Sequence, residues 1–173
     1  MATKNHNLSE YDASKMPDAS GMRVGIVVSD WNGEITGNLL KGAYETLVKN
    51  GVREEHIIVR HVPGAFELTF AARLMAENEN VDGIIGLGCI IRGETPHFDF
   101  IAQGVAQGFT HLNLSGDKPF VFGVLTDNDI SQSRARSGGN LGNKGDEAAV
   151  TAIKMIHFAC EAKKSVIFAP QNR

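Results

Sequence analysis

Apolar residues along this chain come in two alternating rhythms, short unbroken runs and longer stretches spaced by three and four, and the alternation predicts its elements. Arg23 to Val28 reads as a short buried strand, after which Ile35, Leu39, Leu40, Ala43, Leu47 and Val48 follow at helical spacing until Asn50 and Gly51 end the helix. A second round has a strand over His56 to Val62, a turn at Pro63 and Gly64, and a helix from Phe66 to about Glu77. Gly83 to Cys89 forms the third strand, and a loop through Glu94 leads into a helix from Thr95 to about Leu114. After the turn Ser115 to Pro119 comes a strand over Phe120 to Leu125, then a short helix near Asp129 to Arg136. A glycine-rich break from Gly138 to Gly145 precedes a long helix from Glu147 to about Ala162.

Strands alternating with helices predict the α/β class, a four-stranded parallel sheet covered on both faces, because parallel neighbours need crossover connections and apolar strands need burial on both sides. Ligands of such sheets bind beyond the carboxyl ends of the strands. Those ends lead into Ser29 to Trp31, Pro63 to Glu67, Ile90 to His97, and Thr126 with Asp127. The polar, turn-rich residues 1–21 read as an N-terminal arm that stays mobile unless a partner orders it, residues 22–162 as one domain, and residues 163–173 as a C-terminal tail. In the tail, Val166, Ile167 and Phe168 either dock on a neighbour or remain disordered.

Composition narrows the function. A length of 173 residues allows one compact core that needs no metal or disulfide, and a net charge of −3 offers no broad basic surface for a nucleic-acid backbone. No run approaches the roughly 20 apolar residues of a membrane span, and Met1 to Gly21 lacks the apolar block of a secretion signal, so a cytoplasmic protein is expected. Cys89 and Cys160 are too few for a disulfide framework and have no metal-ligand spacing; both read as buried free thiols.

The third loop carries the clearest chemical signal. Thr95 as N-cap and Pro96 in the first helical position would start a helix whose unpaired N–H groups and dipole suit a phosphate, with Gly93 permitting close approach. His97 would lie in the first turn, where the dipole disfavours imidazolium and leaves a neutral base able to accept a proton. Taken alone, the blander reading is favoured, a helix start beside a surface histidine, since Thr-x-His is not a specific motif. Its position behind a buried strand raises the functional reading. Trp31 either stacks on a planar heterocycle or anchors its loop; Glu67 either accepts ligand hydrogen bonds or only complements a helix dipole. Arg136, Asn140, Lys144 and Glu147 surround the break GGNLGNKG, where basic groups either meet an anion or are exposed charges at a helix connection. Gly86 to Gly88 is no dinucleotide fingerprint, because the third glycine is missing, and no Walker lysine sequence occurs.

Four ordered blocks make the chain resemble the lumazine synthase family over about Val24 to Phe158: VPGAFE at Val62 to Glu67, GCIIRGETPHFD at Gly88 to Asp99, FVFG at Phe120 to Gly123, and GNKGDEAA at Gly142 to Ala149. The resemblance implies a flavodoxin-like three-layer sandwich and a condensation of 5-amino-6-(D-ribitylamino)uracil with 3,4-dihydroxy-2-butanone 4-phosphate, with no cofactor or metal. It implies that Trp31 stacks on the pyrimidine, that Ala65, Phe66, Glu67, Cys89, Ile90 and Ile91 hold the ring and ribityl chain, and that Phe122 closes the site from a neighbouring subunit. Glu94 and Thr95 would bind the phosphate substrate with Arg136, also across the interface, while His97 moves protons and Lys144 and Glu147 form a supporting ion pair. The implied partners are two small substrates and further copies of the chain, as a pentamer and, with no long insertion between the last two helices, permissibly an icosahedral shell of pentamers. The segment Ser14 to Met22 resembles one that joins the adjacent subunit's sheet.

Two positions depart from the family pattern: Asn140 stands where several relatives have lysine, and Trp31 where phenylalanine is more common, giving a larger π face on which flavins could also be retained. Two rivals remain at this point, a flavin-binding electron carrier and a catalytically silent shell protein. The first is opposed by SDWNGEITG after the first strand, which lacks a hydroxyl-rich phosphate cradle, and the second by retention of all the implied catalytic residues.

Overall fold

A computed structural model describes residues 7–167, with side chains through Lys164. Four parallel strands, β1 (Val24–Ser29), β2 (Ile57–Val62), β3 (Gly83–Ile91) and β4 (Phe120–Asp127), form one sheet in the order β2-β1-β3-β4. Helices α1 (Gly33–Lys49) and α5 (Lys144–Ile167) cover one face, where Ile26, Ile85, Leu87 and Val121 meet Leu39, Leu47, Ile153 and Ile156. Helices α2 (Leu68–Asn78) and α3 (His97–Ser115) cover the other, where Val27, Ile84 and Val124 meet Leu68, Val105 and Phe109. Successive strand residues point to opposite faces, so the unbroken apolar runs fill both layers. This is the predicted α/β sandwich.

Close approaches are glycine-dependent. A Cβ on Gly86 would enter the Phe109 ring, and one on Gly145 would enter the backbone of α1 at Leu39, so α3 and α5 can sit this close only where these side chains are missing.

Several boundaries differ from the sequence reading. β3 continues through Ile90 and Ile91, and β4 to Asp127, because the two strands pair there as Ile90↔Thr126 and Ile91↔Asp127. The helix expected from Phe66 opens as a single 3-10 turn, Ala65–Glu67, before α2. Thr95 is not the cap of α3: the helix begins at His97, with Pro96 as N-cap and no side-chain cap hydrogen bond. The helix near Asp129 is α4 (Ile130–Arg136), capped by the Asp129 carboxylate, which accepts from the N–H groups of Ser131 and Gln132. The glycine-rich break contains a small antiparallel hairpin, β5 (Ser137–Gly139) with β6 (Gly142–Asn143), with positive φ at Gly138 (101°), where the register of β5 shifts, and at Gly142 (79°), where β6 begins.

α5 runs beyond Ala162 to Ile167; the reading of Phe168 and the rest of the tail lies outside the described residues, as do residues 1–6. Its last buried position among the residues with described side chains is Ile156, so Cys160, in register with the inward stripe, projects past the core and is exposed, correcting the expectation of two buried thiols. From Asn7 onward the lead contacts its own chain: the Leu8 N–H donates to the Leu141 carbonyl (3.0 Å), and Ala19 is fully buried. No helix among the described residues is long and apolar enough to cross a membrane.

Candidate active site

The sheet order changes direction between β1 and β3, and the crevice beyond their carboxyl ends is where a doubly wound sheet places its ligand. A cavity of about 450 Å³ lies there. Trp31 from the loop after β1, Gly64 to Glu67 after β2, Cys89 to Ile91 at the end of β3, and Thr95 and His97 at the start of α3 all line it, with Gly93, Phe98 and Ile101 completing the wall.

Each wall has a local cause. After β1 the chain turns through Asn32, the one non-glycine residue with positive φ among those described (φ 60°, ψ 46°), and continues into α1. The Asn32 side-chain amide donates to the Cys89 carbonyl at 3.0 Å, beyond the last β1–β3 pair, Val28↔Leu87. Its amide therefore stands in for a backbone donor that β1 no longer supplies. The Trp31 N–H donates to the Pro63 carbonyl (3.1 Å), tying the first loop to the second and leaving the indole 72% exposed beside the cavity. An aromatic surface that open, beside a concave site, is available to a flat ligand.

In the second loop Glu67 folds back over Gly64, where a Cβ would come within 3.0 Å of its carboxylate, and the Phe66 ring lies over Gly104 of α3. In the third, Arg92 makes a two-pronged ion pair with Asp99 (2.8 and 3.2 Å) and lies 4.2 Å from the centre of the Phe98 ring. The pair bridges the end of β3 to the first turn of α3, and the Arg92 guanidinium holds the Asp99 carboxyl below the usual aspartate range. It fixes the loop Gly93 to Pro96 on which Thr95 and His97 stand. Sequence reasoning missed both Asn32 and the Arg92–Asp99 pair; an asparagine directly after Trp31 and opposite charges flanking the loop were the available signals.

Cys89 is buried in the floor. Desolvation pushes its thiol above the usual cysteine range, so it is a neutral wall rather than a nucleophile.

Not all of the proposed site residues meet here. Glu94 is exposed on the loop but does not line the cavity, and Arg136 lies at the end of α4, hydrogen-bonded to the Gln132 carbonyl at 3.0 Å. Phe122, Lys144 and Glu147 line a different, smaller hollow of about 190 Å³ beside β4, the far edge of the sheet. There Lys144 and Glu147 form an ion pair of 2.8 Å, and Phe122 packs edge-on against Phe109. Asn140 is exposed in the β5–β6 turn. Among the described residues no three His, Cys, Asp or Glu side chains converge as metal ligands.

The comparisons with known proteins agree over nearly the whole chain. The family model for 6,7-dimethyl-8-ribityllumazine synthase matches residues 21–159. The 6,7-dimethyl-8-ribityllumazine synthase of Parabacteroides distasonis is 58% identical over 159 residues, covering 92% of this chain and 99% of that protein. Those of Phocaeicola vulgatus (51% over 168 residues; 97% and 100% covered) and Porphyromonas gingivalis (54% over 155 residues; 90% and 96% covered) are similarly close. With four motif blocks, the sheet order and this full-length similarity in agreement, the chain belongs to the 6,7-dimethyl-8-ribityllumazine synthase family.

Proposed function

We infer that this protein is a transferase that condenses 5-amino-6-(D-ribitylamino)uracil with 3,4-dihydroxy-2-butanone 4-phosphate, giving 6,7-dimethyl-8-ribityllumazine, phosphate and water, the penultimate step of riboflavin biosynthesis. The observation that carries this reading is the cavity that gathers Trp31, Ala65, Phe66, Glu67, Cys89, Ile90, Ile91, Thr95 and His97 from the carboxyl ends of three strands and the segments that follow them, in a chain of that family. Trp31 and Phe66 offer apolar surface to the pyrimidine, and Glu67 with the backbone of Cys89 to Ile91 offers hydrogen bonds to the ring and ribityl chain.

The amine of the pyrimidine loses protons as it attacks the ketone, a first water leaves as the imine forms, phosphate is then eliminated, and the ribitylamino nitrogen attacks the remaining carbonyl, closing the ring with loss of a second water. His97, in the first turn of α3 and on the cavity wall, serves as the proton carrier for these steps. Glu94 and Thr95 bind the phosphate substrate, and Arg136 balances the charge on the departing phosphate. Holding two reactants in one crevice supplies further acceleration by replacing an encounter in solution.

Arg136 and Phe122 lie away from the cavity on their own chain, which favours their delivery by a neighbouring subunit. The Lys144–Glu147 pair would stiffen that donated wall. The assembly proposed is a pentamer, with an icosahedral shell of pentamers as its larger form. Among the described residues nothing pairs with the outer edge of β2, the kind of edge that an added strand from residues 14–22 of a neighbour would cover. A cytoplasmic location, with neither nucleic acid nor membrane as partner, fits the modest net charge of −3.

Mixing the purified protein with both substrates tests the reading: lumazine fluorescence should grow with time, and phosphate should be released in step. Absence of product at saturating substrates would overturn it. Light scattering on a sizing column separates pentamer from shell, and a monomeric active enzyme would overturn the shared site.

A further inference from the structure

A chain of buried polar groups runs from the floor of the cavity toward Arg136. The Cys89 thiol donates to the Ser133 hydroxyl (3.4 Å), which donates to a carboxylate oxygen of Asp127 (2.8 Å). The other carboxylate oxygen of Asp127 faces the Arg136 Nε at 4.0 Å. Ser133 is fully buried and Asp127 is 7% exposed, so this carboxylate is held away from water, a costly placement for a charge unless a cation is near. Arg136 is the cation the fold provides: its side chain is only 27% exposed, and its Nη1 donates to the Gln132 carbonyl at 3.0 Å.

Resting on the reading above that Arg136 meets the phosphate group, we propose that Asp127 is a positioning residue that orients the Arg136 guanidinium for the phosphate-bearing substrate. An arginine side chain is long and flexible, and its planar fork recognises phosphate only when its donors are correctly aimed. Nη1 donates to the Gln132 carbonyl, Nε faces Asp127 at an ion-pair distance of 4.0 Å that is too long for a hydrogen bond, and Nη2 makes no hydrogen bond among the described residues. The Coulomb pull of Asp127 on the Nε side and the Gln132 carbonyl on Nη1 set the plane of the fork, and Nη2 is the nitrogen with both N–H donors open to an anion. Asp127 is itself fixed on both sides, by Ser133 through its carboxylate and by the Arg92 N–H, which donates to its backbone carbonyl at 3.0 Å. The same cluster touches the Cys89 floor, so the donated arginine and the chain's own cavity share one rigid support.

The variant Asp127→Asn keeps the shape and a Ser133 acceptor but removes the charge. In steady-state lumazine formation, the apparent KM for 3,4-dihydroxy-2-butanone 4-phosphate should rise about 3- to 30-fold, kcat should fall no further than in Arg136→Ala, and the KM for the pyrimidine should stay at its wild-type value. In an Arg136→Ala background the same change should add nothing further, because its effect runs through that side chain. An unchanged or lowered KM in the single variant, or additive effects in the double, would overturn the proposal; a lowered KM would mean that Asp127 masks the charge of Arg136 rather than aiming it. Should Asp127→Asn fail to fold, Ser133→Ala frees the carboxylate from its anchor and should raise the same KM about 2- to 5-fold, and no rise there would equally overturn it. If Arg136→Ala itself leaves that KM unchanged while lumazine is still formed, the phosphate reading of Arg136 has failed instead, and the role of Asp127 fails with it.

Discussion

Asn32 offers the sharpest test of how the cavity is held open. It adopts the left-handed conformation (φ 60°, ψ 46°), and its amide donates to the Cys89 carbonyl at 3.0 Å. Asn32→Ala removes that hydrogen bond, worth about 1 kcal/mol, and places a Cβ-bearing residue without asparagine's local compensation where the left-handed region costs roughly 1–2 kcal/mol. The expected loss of stability is about 2–3 kcal/mol. Asn32→Gly also removes the bond but tolerates positive φ, so the backbone part is returned and the loss falls to about 1 kcal/mol. Urea denaturation at one fixed protein concentration measures both variants, since association would shift midpoints by mass action. Both should raise the KM for the pyrimidine, because Trp31, next in the chain, loses its fixed platform. Equal stabilities for the alanine and glycine variants would refute the backbone component, and an unchanged pyrimidine KM in both would refute the link between this turn and the cavity.

Other perturbations probe the remaining parts. His97→Ala should lower kcat by about 10²- to 10⁴-fold, the usual worth of a positioned proton carrier, with assembly intact by light scattering; unaltered turnover at saturating substrates would remove His97 from the chemistry. Arg136→Ala should raise the KM for the phosphate substrate while leaving pyrimidine binding, read by calorimetry, unaffected. Cys89, buried and with its thiol held above the usual range, should resist a thiol reagent at pH 8 in the folded protein and react once the chain is unfolded in urea; rapid labelling of the native Cys160→Ser variant would contradict its burial. Gly145→Ala forces a Cβ into the α1 backbone at Leu39 and should destabilise by about 1–3 kcal/mol, visible as a lowered thermal midpoint; a wild-type midpoint would show that α1 and α5 can separate.

The pattern of apolar residues determined the class of fold, because strands buried on both faces must be apolar at every position while helices must be so only on one stripe. Hence Val24 to Val28 and Gly83 to Cys89 were legible as strands, and the loops at their carboxyl ends marked the site before any geometry was known. The ends of elements were not legible. Ile90 and Ile91 belong to β3 only because Thr126 and Asp127 pair beside them, and α3 starts at His97 rather than Thr95, beside a loop clamped by Arg92 and Asp99, partners seven residues apart. Cys160 keeps the helical stripe of α5 yet is exposed, since periodicity in a sequence does not record where the core beneath it stops.

For the site, local motifs named Trp31, Glu67, Thr95 and His97 one loop at a time, and only the switch in strand order between β1 and β3 brings them around one cavity. Tertiary structure alone decided that Asn32 reaches the Cys89 carbonyl and that Ser133 and Asp127 form a buried path toward Arg136. It also places Phe122 and Arg136 outside the cavity of their own chain. Spacing along a chain carries information about the face of one element, whereas contacts between residues far apart in sequence are set by how the layers pack, and there the sequence by itself is silent.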